Sequence, residues 1–166
     1  MDIEEKKRLI ADGLRCENEE FLVDCGVPDP GAASSGELKE EMQDCWPAKD
    51  VEPDLERFVE LQIEACRCTR HLGVSMPVAP SLYGSRGTPM TMAMYLGGDV
   101  EFREASVWVY PVAESCADID TTFDPDNKWV GRHAELLSTQ VEMLPEDIHP
   151  VLPDFGDALT CFSLLC

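Results

Sequence analysis

Three short stretches carry most of the chemical character of this chain. The first is SLYGSRG, residues 81–87, which sets Tyr83 and Arg86 beside two glycines. Arg86 is one of only thirteen basic residues against thirty-three acidic ones, so its guanidinium is suited to holding a substrate carboxylate through paired hydrogen bonds. A solvated surface arginine in a loop is the plainer reading of the same spacing. The second stretch is LPDFGD, residues 152–157. Asp154, Phe155 and Gly156 spell the DFG of protein kinases. No glycine loop over phosphates, strand lysine or HRD-type catalytic loop accompanies them, so the match is a coincidence. What remains is position. Asp154 and Asp157 follow an expected strand, which is the ligand-facing end in a parallel α/β protein, although capping the next helix is the plainer role for either residue.

The third stretch is C-x-C-x-x-H, formed by Cys66, Cys68 and His71. On the helix expected there, residues two apart point to nearly opposite sides, so the two thiols cannot share one ion. They read as buried or half-buried thiols, and no metal ligand is assigned. His133 falls on the apolar face of a helix and reads as a hydrogen-bonded packing residue. His149 precedes Pro150 at a strand start, the end away from ligands. Asp118, Asp120, Asp124 and Asp126 have the spacing of turn and cap residues, and Met90, Met92 and Met94 read as core filler. Trp108 lies in a β-rich run, where it would wall an apolar pocket together with Tyr83.

The elements that must position these residues follow from periodicity. Residues 2–14 suit a charged helix capped by Asp2, and 23–36 are rich in turn formers and read as loop. Ser35 is placed to cap a brief helix over 37–45. In the strongest helix Pro53 takes the first turn, and Leu55, Phe58, Val59, Gln62, Cys66 and Thr69 recur at steps of three and four, with Gly73 at the C-cap. VSMPVAP, residues 74–80, reads as a buried strand, and a helix through Met94 and Tyr95 closes at Gly97–Gly98. Residues 100–112 read as strand or hairpin. A long helix starts near Asp124–Pro125 and carries Trp129, Val130, His133, Leu137, Gln140, Val141 and Leu144 on one face. IHPVLPDF, 148–155, reads as another strand. This alternation predicts an α/β fold with parallel strands.

Composition narrows the functions open to the chain. With 166 residues and 44% apolar content it has the material for a real core. A formal charge of −20 repels nucleic acid and anionic lipid, so neither is expected as a partner. No apolar run reaches the ~20 residues of a spanning helix. The mixed charges of MDIEEKKRLIADGL lack the apolar core of a signal peptide, so a cytoplasmic protein with mostly free thiols among its eight cysteines is expected.

The order of segments resembles the uroporphyrinogen decarboxylase family. The resemblance rests on P-x-L-Y-G at 80–84, LGGDVEF at 96–102, SVWVYPV at 106–112, FDPDNKW at 123–129, and HPVLPDFGDALT at 149–160. It covers about residues 50–166, leaving 1–49 as an amino-terminal extension of helix and loop. The resemblance is strongest to the decarboxylase-like and corrinoid methyltransferase-like branches. It implies a (β/α)₈ TIM barrel with its site at the carboxyl-terminal mouth, of which this chain would hold the first few βα units. It also implies either decarboxylation of a tetrapyrrole or methyl transfer involving corrinoid proteins or thiols. The family's arginine-rich segment near the amino terminus has no counterpart, since Arg15 stands alone. The family's substrate aspartate has none either, since Leu82–Tyr83–Gly84 takes its place. Methyl transfer is therefore the better expectation. The zinc of the methyltransferases is held by His and Cys ligands in the carboxyl-terminal half, so no ligand carries over to these residues.

Two expectations from different classes follow. In the first, CFSLLC at 161–166 opens a barrel helix that continues outside this sequence, and the chain is the amino-terminal part of an enzyme that is inactive by itself. Tyr83, Arg86 and Trp108 then bind a small-molecule substrate or a corrinoid protein, and Asp154 holds a proton or a polar group. In the second, the chain is a non-catalytic α/β binding or assembly module that forms a homodimer through its apolar C-terminal segment.

Overall fold

The computed structural model of the chain describes residues 1–15, 24–28, 35–45, 52–73, 75–79, 91–103, 106–151 and 165. Helices and strands mix: α1 (Ile3–Leu14), β1 (Asp24–Pro28), α2 (Ser35–Asp44), α3 (Leu55–Arg67), β2 (Thr69–Gly73), β3 (Val78–Ala79), α4 (Thr91–Tyr95), β4 (Asp99–Arg103), β5 (Ser106–Tyr110), α5 (Lys128–Met143) and β6 (His149–Pro150). The described strands form three two-stranded sheets, β1–β2, β3–β6 and β4–β5, and no closed barrel. Only β3–β6 is parallel, with Val78 opposite His149 and Ala79 opposite Pro150. The expectation of parallel strands therefore holds for one sheet. The run at 100–112 forms an antiparallel hairpin, β4–β5, rather than a further strand of that sheet. No described helix is long and apolar enough to cross a membrane.

Helix α1 begins as its first residues require, with the Asp2 carboxylate accepting from Glu5 N at 2.8 Å. Helix α3 differs from expectation at both ends. Its cap is Asp54, which accepts from Arg57 N at 3.0 Å, so Pro53 lies outside the first turn. The helix stops at Arg67 with Cys68 as its C-cap, and Thr69–Gly73 turns into strand β2. The partner of β2 is β1, in a stretch expected to be loop; Asp24 pairs with Gly73 and Pro28 with Thr69. Gly73 has φ 62, a left-handed conformation that glycine adopts without steric cost. Its signal was real but marks the end of a strand rather than of a helix.

The core forms where α3 crosses α5, with Phe58, Val59, Leu61, Trp129 and Leu136 buried together. Ala93 and Met94 of α4, the inward-facing Val100 and Val109 of the hairpin, and Leu165 complete it. The buried face of α5 is Trp129, Arg132, His133, Leu136 and Gln140, whereas Val141 is 72% exposed. The face is thus rotated from the expected one, and Leu136 takes the central place given to Leu137. Two glutamines on these faces meet inside the core, where Gln140 Nε2 donates to Gln62 Oε1 at 2.8 Å. That bond satisfies the Gln62 oxygen, while Gln140 Oε1 finds no hydrogen-bond partner among the described residues.

Candidate functional site

The start of α5 is fixed by Asn127. Its side-chain oxygen accepts from Trp129 N at 2.8 Å, capping the helix. Its amide nitrogen donates to the carbonyls of Met94 and Tyr95, both at 3.1 Å. One residue thereby ties the end of α4 to the beginning of α5. Gly97, at φ 85, reverses the chain after α4 and leads into β4. These constraints leave an open cleft of about 380 Å³ between the α4–β4 turn and the α5 cap, lined by Gly97, Gly98, Asp99, Asp124, Asp126, Asn127, Lys128 and Trp129, with Met94 and Val100 beneath.

Among the described residues, the cleft is lined by carboxylates and one ammonium, without a thiol, hydroxyl or imidazole. Its carboxylates suit it to binding polar or cationic groups. Asp124 accepts from Asp126 N at 3.0 Å and Asp120 from Thr122 N at 2.9 Å, so both close local turns, as their spacing predicts. The Thr122 backbone and side-chain hydrogen bonds hold the Asp120 carboxyl below the usual range. Beside the cleft, Lys128 Nζ lies 5.0 Å and the Arg132 guanidinium 5.3 Å from the Trp129 ring centroid, the geometry of cation–π pairing.

Behind the cleft, Tyr95 Oη meets His133 Nδ1 at 2.5 Å, with the rings edge to face at 5.5 Å. His133 is only 3% exposed, and burial pulls its imidazole down to about 4. Burial also pushes the Tyr95 phenol up. A neutral imidazole that accepts at Nδ1 carries its proton on Nε2, which finds no partner among the described residues. His133 is therefore buried, neutral at neutral pH and hydrogen-bonded to Tyr95 on the apolar face of α5.

At the parallel sheet, His149 N donates to Pro77 O and Val151 N to Ala79 O, so β3 and β6 end side by side. Cys66 Sγ donates to Val78 O at 3.4 Å, and burial pushes its thiol up. Arg67 grips Asp147 with two bonds of 2.5 and 2.8 Å. The residues of C-x-C-x-x-H sit on three different features: Cys66 in α3, Cys68 at its cap, and His71 in β2, where Nδ1 lies 3.2 Å from Ser75 Oγ. Among the described residues no three His, Cys, Asp or Glu side chains converge to hold a metal ion.

Of the residues singled out in the sequence, Tyr83, Arg86 and Asp154 lie outside the described residues. Trp108 is described: it is 51% exposed on the outward face of the hairpin and does not line the cleft. Sequence reasoning missed Asn127, although an asparagine one residue before a helical run is a readable capping signal. It also missed Arg132 and Lys6. The buried Lys6 donates to Ser75 O at 2.5 Å, and nothing local in the sequence marks it. No family profile, curated protein or solved structure matches the chain.

Proposed function

We propose that the chain is the amino-terminal part of a uroporphyrinogen decarboxylase-like TIM barrel whose chemistry is methyl transfer to or from a corrinoid or thiol, carried out in the cytoplasm. The observation that supports this reading best is the parallel pair β3–β6. Its strands end side by side at Ala79 and Pro150, and in a βα barrel ligands gather at the carboxyl ends of the strands. In the sequence, Tyr83 and Arg86 follow one of those ends and Asp154 the other. In this reading Arg86 holds an anionic group, Tyr83 an apolar one, and Asp154 a proton or a polar group of the substrate. Trp108, exposed on the hairpin, is assigned with Tyr83 to the apolar wall of that pocket.

A dimerising, non-catalytic module is the second reading. Leu165 counts against it, being fully buried in the chain's own core with its carbonyl accepting from Val112 N and Ala113 N. The test begins with the intact mass of the polypeptide as its source makes it. That polypeptide is then given methylcobalamin and a thiol, so that the methyl group leaves cobalt for sulfur and cob(I)alamin appears in the visible spectrum. Turnover is expected, with Arg86→Ala and Asp154→Ala each lowering kcat/KM about ten-fold or more, the range for losing a charged hydrogen bond. An intact polypeptide that neither binds corrinoid nor transfers methyl sinks the reading.

A further inference from the structure

The β4–β5 hairpin buries one face and presents the other to solvent. Val100 and Val109, directly opposite each other, point inward at 2% and 9% exposure. The outward positions are the pairs Asp99–Tyr110 and Glu101–Trp108, and all four side chains are exposed. Each pair sets one carboxylate beside one aromatic ring, with directly opposed Cβ atoms about 5 Å apart. Tyr110 Oη donates to Glu101 Oε2, so that carboxylate is tied to the Tyr110 ring while its strand partner across the sheet is Trp108. Asp99 also forms part of the acidic cleft, which carries the negative surface past the hairpin to Asp124 and Asp126.

We propose that this face docks an extended, arginine-rich segment of a partner protein. Charge complementarity favours that occupant: a chain of net charge −20 steers cations toward it, and the face offers carboxylates where a cation would sit on a ring. Arginine fits better than lysine, because a planar guanidinium stacks on an indole while its N–H groups reach a carboxylate alongside. The chain uses the same pairing internally, where Arg132 lies over Trp129. Spacing points to an extended segment. The two carboxylate–ring pairs recur every second residue, about 6.6–6.8 Å apart along the strands, which is the repeat of alternate side chains in an extended peptide.

The experiment titrates the full chain with the peptide Arg-Gly-Arg-Gly-Arg-Gly by calorimetry at fixed physiological salt, alongside its lysine counterpart of equal charge. One-to-one binding is expected, with the arginine peptide the tighter. Trp108→Ala should weaken binding about five-fold, and Glu101→Gln two- to five-fold by about the worth of an exposed ion pair. Circular dichroism should be unchanged. Glu101→Gln keeps size and shape on an exposed strand position, so it remains informative should Trp108→Ala fold poorly. Equal binding by both peptides with no effect of either variant would overturn the proposal, because attraction to net charge alone gives that pattern. Absence of binding would overturn it too. A homodimer that Trp108→Ala dissociates would assign the face to self-association instead.

Discussion

Lowering the pH should unfasten this fold at His133. The imidazole is 3% exposed, and burial lowers it to about 4 from the ordinary 6.5. A histidine that resists protonation when folded stabilises the folded state fully above about pH 6.5. That contribution is lost as pH falls toward 4, because the unfolded chain takes up the proton first. At about 1.4 kcal/mol per decade of proton activity the whole effect is about 3 kcal/mol, of which about 2 kcal/mol is gone by pH 5. Asp120 and Asp147 are both held below the usual carboxylate range, by hydrogen bonds from Thr122 and Arg67, and they titrate beneath this window.

The assay is urea unfolding at steps between pH 7.5 and pH 5, comparing the natural chain with His133→Gln. Glutamine offers Tyr95 a hydrogen bond and does not titrate, so the quantity of interest is the slope rather than the absolute stability. The natural chain should lose about 1 M in its urea midpoint across that range, from about 2 kcal/mol and an ordinary urea dependence. His133→Gln should lose much less. If both midpoints fall in parallel, the buried imidazole is not the group responsible. An imidazole resonance of His133 titrating near 6.5 in the folded chain would refute the argument directly.

Outcomes at four other places in the fold are read from thermal unfolding, where about 1 kcal/mol moves Tm by about 2–4 °C at this size. A Cβ on Gly98 would lie 2.8 Å from the carbonyl oxygen of Ala93, so Gly98→Ala should cost about 1–3 kcal/mol; Gly131, with open space around it in α5, should gain about 0.5–1 kcal/mol on change to alanine. Asn127→Ala removes both the cap of α5 and the two bonds to the α4 carbonyls and should cost about 2 kcal/mol, while Asn127→Asp keeps the cap and recovers part of it. Gln62→Leu takes away the acceptor of Gln140 Nε2 inside the core and should cost about 1–3 kcal/mol, whereas adding Gln140→Leu should restore most of the loss.

The helices were legible because their signals are local. Asp2 caps α1, and the three-and-four recurrence through Phe58, Val59 and Gln62 names the face that α3 buries. Even the two glutamines on the apolar faces were placed correctly, although nothing in the sequence says that they bond to each other. The strands were harder, because each depends on a partner distant in sequence. Thr69 continues the helical period of α3, yet it belongs to β2, since Asp24–Pro28 supplies a partner that no local pattern reveals. The alternation of half-buried and exposed residues over Thr69–Gly73 is too short to outweigh a helical period that continues into it.

The same distinction separates the two sites proposed for this chain. Residues such as Tyr83, Arg86 and Asp154 stand out in the sequence because a rare cation or a carboxylate after a strand is conspicuous in itself. The hairpin face was not conspicuous. Asp99 and Glu101 are ordinary in a chain with thirty-three acidic residues, and Trp108 and Tyr110 read as sheet formers. Only the register, which sets Glu101 across from Trp108 and Asp99 across from Tyr110, turns these four residues into two carboxylate–ring pairs. An antiparallel register is fixed by pairing and by burial of Val100 and Val109 together. A one-residue slip would bury the carboxylates and expose the valines, so the stability of the core guarantees the chemistry of the opposite face. Any substitution that loosens the inward pair should therefore weaken arginine-peptide binding as well, without touching a single residue that meets the peptide.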